Sequence, residues 1–314
     1  MPLVKIVATG GTVANTVTGR ISVDELLRDI PEAKEIADLE ISDVLRLASR
    51  AFTPSEWLKI GYAVAEAADD DRVDGIVVTH GTLTAEETAY FLHLVVRTSK
   101  PIVIVCAQRK HKMSGNDGDR NFIDALRIAT SESAQGKGVF VTLGEEIHSA
   151  RDVVKTNQRP GGFVSRNCGI LGHVESDQVT FYRAPVRRHT AHSAFNIREL
   201  ARLPRVDIVP TYPGADHVPI RALVDAGSQG LVVEGYAFSG TPTAAQEDEL
   251  KRVVQRGIPV VCVNRGRGGR VPTSPKSLFV QGDDLVANKA RILLMLALTQ
   301  TTDRVKLQSI FSAY

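Results

Sequence analysis

Short apolar runs bounded by turn residues recur along the chain: "LVKIVAT", "GIVVTH", "PIVIVCA" and "GVFVTL", then "VDIVPTY", "GLVVEG" and "PVVCVN". They are rich in Val and Ile and are separated by helix-like stretches, a pattern that predicts α/β alternation around mainly parallel sheets buried on both faces. Three helix starts are signalled by a hydroxyl cap followed three residues later by an acid: Ser22 with Glu25, Thr53 with Glu56 behind Pro54, and Thr84 with Glu87. On this reading Thr84 caps a helix and is not a catalyst. A polar segment, "RAPVRRHTAHSAFNIRELARLP", breaks the strand rhythm before a second set of strands begins at "VDIVPTYPGAD". The boundary is placed between residues 184 and 205, giving an N-terminal domain over 1–190, a linker over 191–205 and a C-terminal domain over 206–314. Within it, "RRHTAH" reads as a solvated linker, with an anion site as the alternative.

Composition narrows the function classes. With 38 basic and 36 acidic residues the formal net charge is +2, so no polyanion-binding surface is indicated and nucleic acid is not an expected partner. Cys106, Cys168 and Cys262 are far apart and form no CxxC pair, so they read as reduced core thiols and no metal is expected. The amino terminus, "MPLVKIVATGG", starts directly with a strand-like run, and a cytoplasmic location is the expectation. No apolar stretch reaches the ~18 residues of a membrane span, and no membrane partner is expected.

Three segments carry groups that can do chemistry together. In "IVATGGTVA", Thr12 follows two glycines at the end of the first strand, where glycine lets the backbone approach a ligand and frees N–H groups for an oxyanion. "THGT" brings a second hydroxyl, Thr82, to the end of another strand, the edge at which open α/β sheets place their sites. "EEIHSARDVVKTN" supplies Lys155. A threonine hydroxyl needs a base at neutral pH, and a desolvated lysine can be one.

With these segments in view, the chain resembles the bacterial L-asparaginases and their glutaminase-asparaginase relatives. The likeness runs nearly end to end, through "ATGGTVA", "THGT" before "AEETAYFL", "NDGDRNFIDA", "EEIHSARDVVKT", "YPGAD" and the tail "ANKARILLMLALTQTTDRVKLQSIF". The resemblance implies a two-domain asparaginase-like α/β fold, with a larger N-terminal catalytic domain and a smaller C-terminal one. It further implies amide hydrolysis without cofactor and a homotetramer of intimate dimers with active sites near subunit interfaces. Carried over by position, Thr12 looks like the nucleophile, Thr82 like the second catalytic threonine and Lys155 like its assisting lysine. Ser49 falls where the family binds the substrate α-carboxylate. Gly11 and Gly81 would let backbone N–H groups reach substrate and oxyanion.

The departures are concentrated around the substrate amine. Where the family reads Thr-Asp-Thr, this chain reads Thr82-Leu83-Thr84, and the family's aspartate there holds the α-ammonium of the substrate. An ammonium closed against Leu83 would be a buried charge without its partner, a loss of about 3–5 kcal/mol, or roughly 100- to 1000-fold. The family's lid tyrosine has no counterpart in "NTVTGRISVDEL". The second-domain turn that resembles Gly-x-Gly-Asn-Gly in the family reads "GYAFSGTP", which puts Phe238 at the asparagine position with Tyr236 nearby. Arg50 follows Ser49, where the family often has a neutral polar residue, and could add a contact to an anionic group. In "NRGRGGRVPT", Arg265, Arg267 and Arg270 suggest an interface or carboxylate-binding loop; the dinucleotide fingerprint is absent.

The expectation is thus a cofactor-independent amidohydrolase acting on a small carboxylate-bearing amide, lactam or cyclic imide that lacks the α-ammonium of asparagine. Two alternatives stand beside it. One is an L-asparaginase whose ammonium-binding carboxylate has moved to Asp117, Glu234 or a neighbouring subunit; the other is a non-catalytic binder of a small metabolite.

Overall fold

The computed structural model describes residues 1–11 and 22–314 of the 314-residue chain. Two compact units are present, Met1–Ala201 and Arg202–Tyr314.

In the first unit the chain runs β1 (Leu3–Ala8), α1 (Val23–Asp29), α2 (Ala33–Ile36), β2 (Asp38–Asp43), α3 (Pro54–Asp69), β3 (Gly75–Thr79), α4 (Ala85–Val95) and β4 (Ile102–Val105). It continues through α5 (Gly118–Thr130), β5 (Val139–Leu143), β6 (Glu146–Ser149), β7 (Val153–Lys155), β8 (Phe163–Ser165), β9 (Gly172–Val174) and β10 (Val179–Phe181). The main sheet has the order β10-β9-β6-β5-β4-β3-β1-β2. Its β2 to β5 half is parallel, and β6, β9 and β10 extend it in antiparallel fashion. β7 and β8 form a separate two-stranded hairpin.

The continuous apolar runs follow from burial on both faces: every residue of β3, β4 and β5 is buried. One face collects alternate positions, Val4, Ile6, Val77, Val103 and Val105, against the apolar stripe Phe122, Ala125, Leu126 and Ala129 of α5 and against Leu26 of α1. Two of the expected caps, those of α1 and α3, are complete capping boxes, Ser22 with Glu25 and Thr53 with Glu56.

The second unit comprises β11 (Val206–Pro210), α6 (Val218–Asp225), β12 (Gly230–Gly235), α7 (Ala244–Gln255), β13 (Val260–Asn264), β14 (Val280–Gln281), α8 (Ala287–Ala297) and α9 (Arg304–Ala313). Its four strands pair in parallel in chain order. Val209, Leu231, Val233 and Val260 form a core with Ile220 of α6 and Leu250 of α7.

Three readings of the sequence need correction. β2, "DLEISD", was not among the expected strands, because it is a half-buried edge whose charged residues mask the apolar ones. Cys168 is exposed and only Cys106 and Cys262 are core thiols. The "RRHTAH" run is not a solvated linker throughout: His189 and Thr190 are buried, and the His189 ring stacks on His93 of α4 at 4.8 Å. Residues 191–201 continue this packing, with Leu200 accepting a hydrogen bond from the Tyr62 hydroxyl at 3.1 Å and Arg198 paired with Asp69 at 2.6 Å.

The α3 box predicts a measurable local contribution. Thr53→Ala, which removes the hydroxyl that accepts from the Ser55 N–H at 3.2 Å, is expected to lower unfolding free energy by about 1 kcal/mol in urea titration. Thr53→Ser should restore it, and an unchanged Thr53→Ala midpoint would contradict the assignment.

Candidate active site

The site grows out of two adjacent parallel strands that end at the same level. Ala8, the last residue of β1, is in register with Thr79, the last of β3. Just beyond, the Thr9 hydroxyl donates to the Thr79 carbonyl at 2.6 Å and ties the two exits together. Gly10 and Gly11 then turn with φ of +101° and +98°, the left-handed region that favours glycine. A Cβ on Gly11 would come within 2.3 Å of the His80 carbonyl, and one on Gly81 within 2.6 Å of the Ser49 hydroxyl. The loop after β2 closes the cluster, since a Cβ on Gly10 would stand 2.8 Å from the Leu47 carbonyl. Absent side chains therefore let three strand-end loops touch. Thr12, and with it residues 13–21 where the lid tyrosine would be sought, lie outside the described residues.

Thr82 is buried, and its hydroxyl accepts a hydrogen bond from the Lys155 ammonium at 2.6 Å. Lys155 is brought there by the β7–β8 hairpin, in which it stands opposite Phe163. Its own backbone N–H donates to the Glu86 carboxylate at 2.7 Å, so the first turn of α4 anchors the end of β7. Partial burial pushes the Lys155 pKa below the ordinary lysine value, and the neighbouring Cys106 and Glu86 oppose that shift. Burial also pushes the Cys106 thiol far up, so it stays neutral and Glu86 is the charge that acts.

His80 supports the turn without titrating in it. Burial lowers its pKa to about 4, so the ring is neutral at physiological pH. Its Nδ1 lies 2.8 Å from the Gly81 carbonyl, which fixes Nδ1–H as the donor, and Phe52 packs edge-on at 5.0 Å. Thr84 corrects the expected cap. It holds the N-cap position of α4 without a side-chain cap bond, and its hydroxyl instead donates to the Ser49 carbonyl at 3.1 Å. That bond holds Ser49, itself buried, against the Thr82 turn.

Gly11, Ser49, Gly81, Thr82 and Lys155 are thus gathered at one end of the first-unit sheet. Leu83 is next to Thr82 and 56% exposed, an apolar side chain standing open beside a hydroxyl–lysine pair. Arg50 is on the surface. Asp117 is occupied: its carboxylate accepts from the N–H groups of Gln108 and Arg109 and from the Asn121 side chain. In the second unit, Tyr236 is half-buried with the Arg265 guanidinium over its ring at 4.6 Å. Phe238 is 82% exposed and left-handed, with φ +85°. Arg265 also donates to the Thr211 carbonyl at 2.8 Å and Arg270 is paired with Asp283 at 2.6 Å, so two of the three loop arginines are held by their own unit. Among the described residues no group of His, Cys, Asp and Glu is arranged to hold a metal ion, and no helix is long and apolar enough to cross a membrane.

The family model for the N-terminal asparaginase domain matches residues 3–187, and that for the glutaminase/asparaginase C-terminal domain matches 205–311. The chain belongs to the asparaginase family. It is 36% identical to "Probable L-asparaginase periplasmic" of Haemophilus influenzae, over 100% of this chain and 93% of that one. It is 38% identical to the glutaminase-asparaginase of Pseudomonas aeruginosa, over 99% and 90% of the two chains. The crystal structure of a "Probable Cytoplasmic L-asparaginase" from Campylobacter jejuni superposes with a TM-score of 0.95 at 35% identity, covering 100% of both chains. This asparaginase-family chain is accordingly a hydrolase of C–N bonds other than peptide bonds, built on a two-domain α/β fold with mainly parallel sheets.

Glu86 is the site residue that sequence reading missed. In "TAEET" it shows only as an acid in a helix's first turn, and its tie to Lys155 spans 69 positions.

The packing at Gly11 sets a test of the turn. Gly161→Ala, at φ +72° with open space around it, should cost about 1 kcal/mol for the left-handed backbone alone. Gly11→Ala must also displace the His80 peptide and should cost clearly more in chemical denaturation; equal losses would show that the contact is not tight.

Proposed function

We propose that this asparaginase-family enzyme hydrolyses a small amide, lactam or cyclic imide that bears a carboxylate and lacks an α-ammonium group. Leu83 carries the reading: it stands half-exposed beside Thr82, where the family's Thr-Asp-Thr pattern has the ammonium-binding aspartate. The residue types that hydrolysis needs are present in the sequence. Thr12 attacks the amide carbon, and the resulting tetrahedral oxyanion accepts from backbone N–H groups at the Gly11 and Gly81 turns. Collapse expels the amine. Water activated near Thr82 and Lys155 then attacks the acyl-threonine carbon and releases the acid. Ser49, with Arg50 beside it, binds the carboxylate, while Leu83 faces the apolar part of the substrate.

The relatives' names favour a second reading, ordinary L-asparaginase activity with a relocated carboxylate. Asp117 is a poor replacement because three donors already occupy it, which leaves Glu234 or a partner subunit. The proposal extends to a homo-oligomer, a tetramer by resemblance, with sites near subunit interfaces. It places the enzyme in the cytoplasm, although the relatives include a protein named periplasmic as well as one named cytoplasmic.

Ammonia release from succinamate and from L-asparagine separates the readings. Wild type should prefer succinamate by about 100-fold or more in kcat/KM, the equivalent of ~3 kcal/mol, and Leu83→Asp should move the preference toward asparagine. A wild-type preference for asparagine would favour the second reading. Because the base form of Lys155 is the neutral amine, kcat/KM should rise with pH to a midpoint below the ordinary lysine value of 10.5. Lys155→Met should abolish that limb along with turnover; wild-type rates in Lys155→Met would remove lysine from the mechanism.

A further inference from the structure

We infer that Glu86 is a positioning residue, which fastens the end of β7 to α4 so that Lys155 reaches Thr82 and which holds a carboxylate charge next to that lysine. The inference rests on the reading of Lys155 as the base that serves Thr82.

Two contacts from one residue define the geometry. Lys155 reaches outward with its side chain to the Thr82 hydroxyl at 2.6 Å and is held from behind by its backbone N–H on the Glu86 carboxylate at 2.7 Å. Thr82 and Glu86 bracket the start of α4, four residues apart, Thr82 in the turn before it and Glu86 in its first turn. The strand being held is short, Val153–Lys155, and its one strand partner is β8. A three-residue strand has little pairing of its own to fix the height of its last residue, and a side-chain acceptor on a neighbouring helix supplies that constraint.

Charge gives the same residue a second effect. The residue that follows Thr82 is leucine and brings no charge. Glu86 is the carboxylate that acts on Lys155, and an anion nearby favours the ammonium over the amine. Glu86 therefore restrains the shift that burial imposes, so that the lysine loses its proton less readily than desolvation alone would dictate.

The two effects come apart in two substitutions. Glu86→Gln keeps an oxygen acceptor for the Lys155 N–H and removes the charge, whereas Glu86→Ala removes both. Competitive acetylation with acetic anhydride across pH, read by mass spectrometry of the peptide carrying Lys155, reports the proton equilibrium of that amine without any turnover. The midpoint for Lys155 should move to lower pH by roughly half to one unit in Glu86→Gln. The lower limb of the succinamate profile should move with it. Glu86→Ala should in addition cut kcat by about ten- to a hundred-fold, as expected for a displaced catalytic group, and more deeply than Glu86→Gln does. An unmoved acetylation midpoint in Glu86→Gln overturns the charge effect, even where Glu86→Ala fails to fold, and a kcat in a folded Glu86→Ala no lower than in Glu86→Gln overturns the fastening. Lys155→Met separates the two levels: a dead Lys155→Met with an unmoved Glu86→Gln midpoint defeats Glu86 alone, whereas an active Lys155→Met defeats the base reading beneath it.

Discussion

The hydrogen bond from the Lys155 ammonium to the Thr82 hydroxyl, 2.6 Å long and partly withdrawn from water, is the interaction on which the site depends. A threonine hydroxyl gains nothing as a reactive group without a base at hydrogen-bond distance, and a lysine is no base at neutral pH unless its surroundings disfavour the charge. The fold brings the two groups to hydrogen-bond distance by convergence, and partial burial lowers the lysine's pKa from its ordinary value. β3 delivers Thr82, the β7–β8 hairpin delivers Lys155, and the first turn of α4 holds the two in relation. The glycines serve the same end, because three loops can meet at the strand ends only where Gly10, Gly11 and Gly81 have no side chain.

Leucine at position 83 changes what that pair is surrounded by. Leu83 brings no charge next to Thr82, and its half-exposed side chain presents apolar surface there. Glu86 accepts from the Lys155 backbone N–H and so ties the end of β7 to the first turn of α4.

Strong periodicity made much of this legible. The seven apolar runs all form strands, and those buried throughout, β3, β4, β5 and β13, are the ones written as nearly continuous apolar residues. The boxes at Ser22 and Thr53 were readable for a local reason, a hydroxyl and an acid three residues apart. What escaped was long-range or mixed in pattern. β2 hides its half-buried residues between charges. Thr84 carries the cap signature, yet a tertiary partner, the Ser49 carbonyl, takes its hydroxyl. His189 and Thr190 sit in a run that reads as solvated because the stacking ring, His93, is far away in sequence. Glu86 is of the same kind, a surface-type acid until Lys155 folds against it. The candidate positions in "THGT" and "DVVKT" could be picked out of the sequence as a set, and the 2.6 Å between their side chains could not.

The central claim is that the pocket has given up the ammonium while keeping the hydroxyl–lysine chemistry. Equilibrium binding of the two corresponding products tests it without any dependence on rates: calorimetric titration of wild type with succinate and with L-aspartate at one pH and ionic strength. Tighter binding of succinate, by about 100-fold if the lost ion pair is worth ~3 kcal/mol, is the predicted result. Tighter binding of L-aspartate would contradict it and show that a carboxylate elsewhere still receives the ammonium.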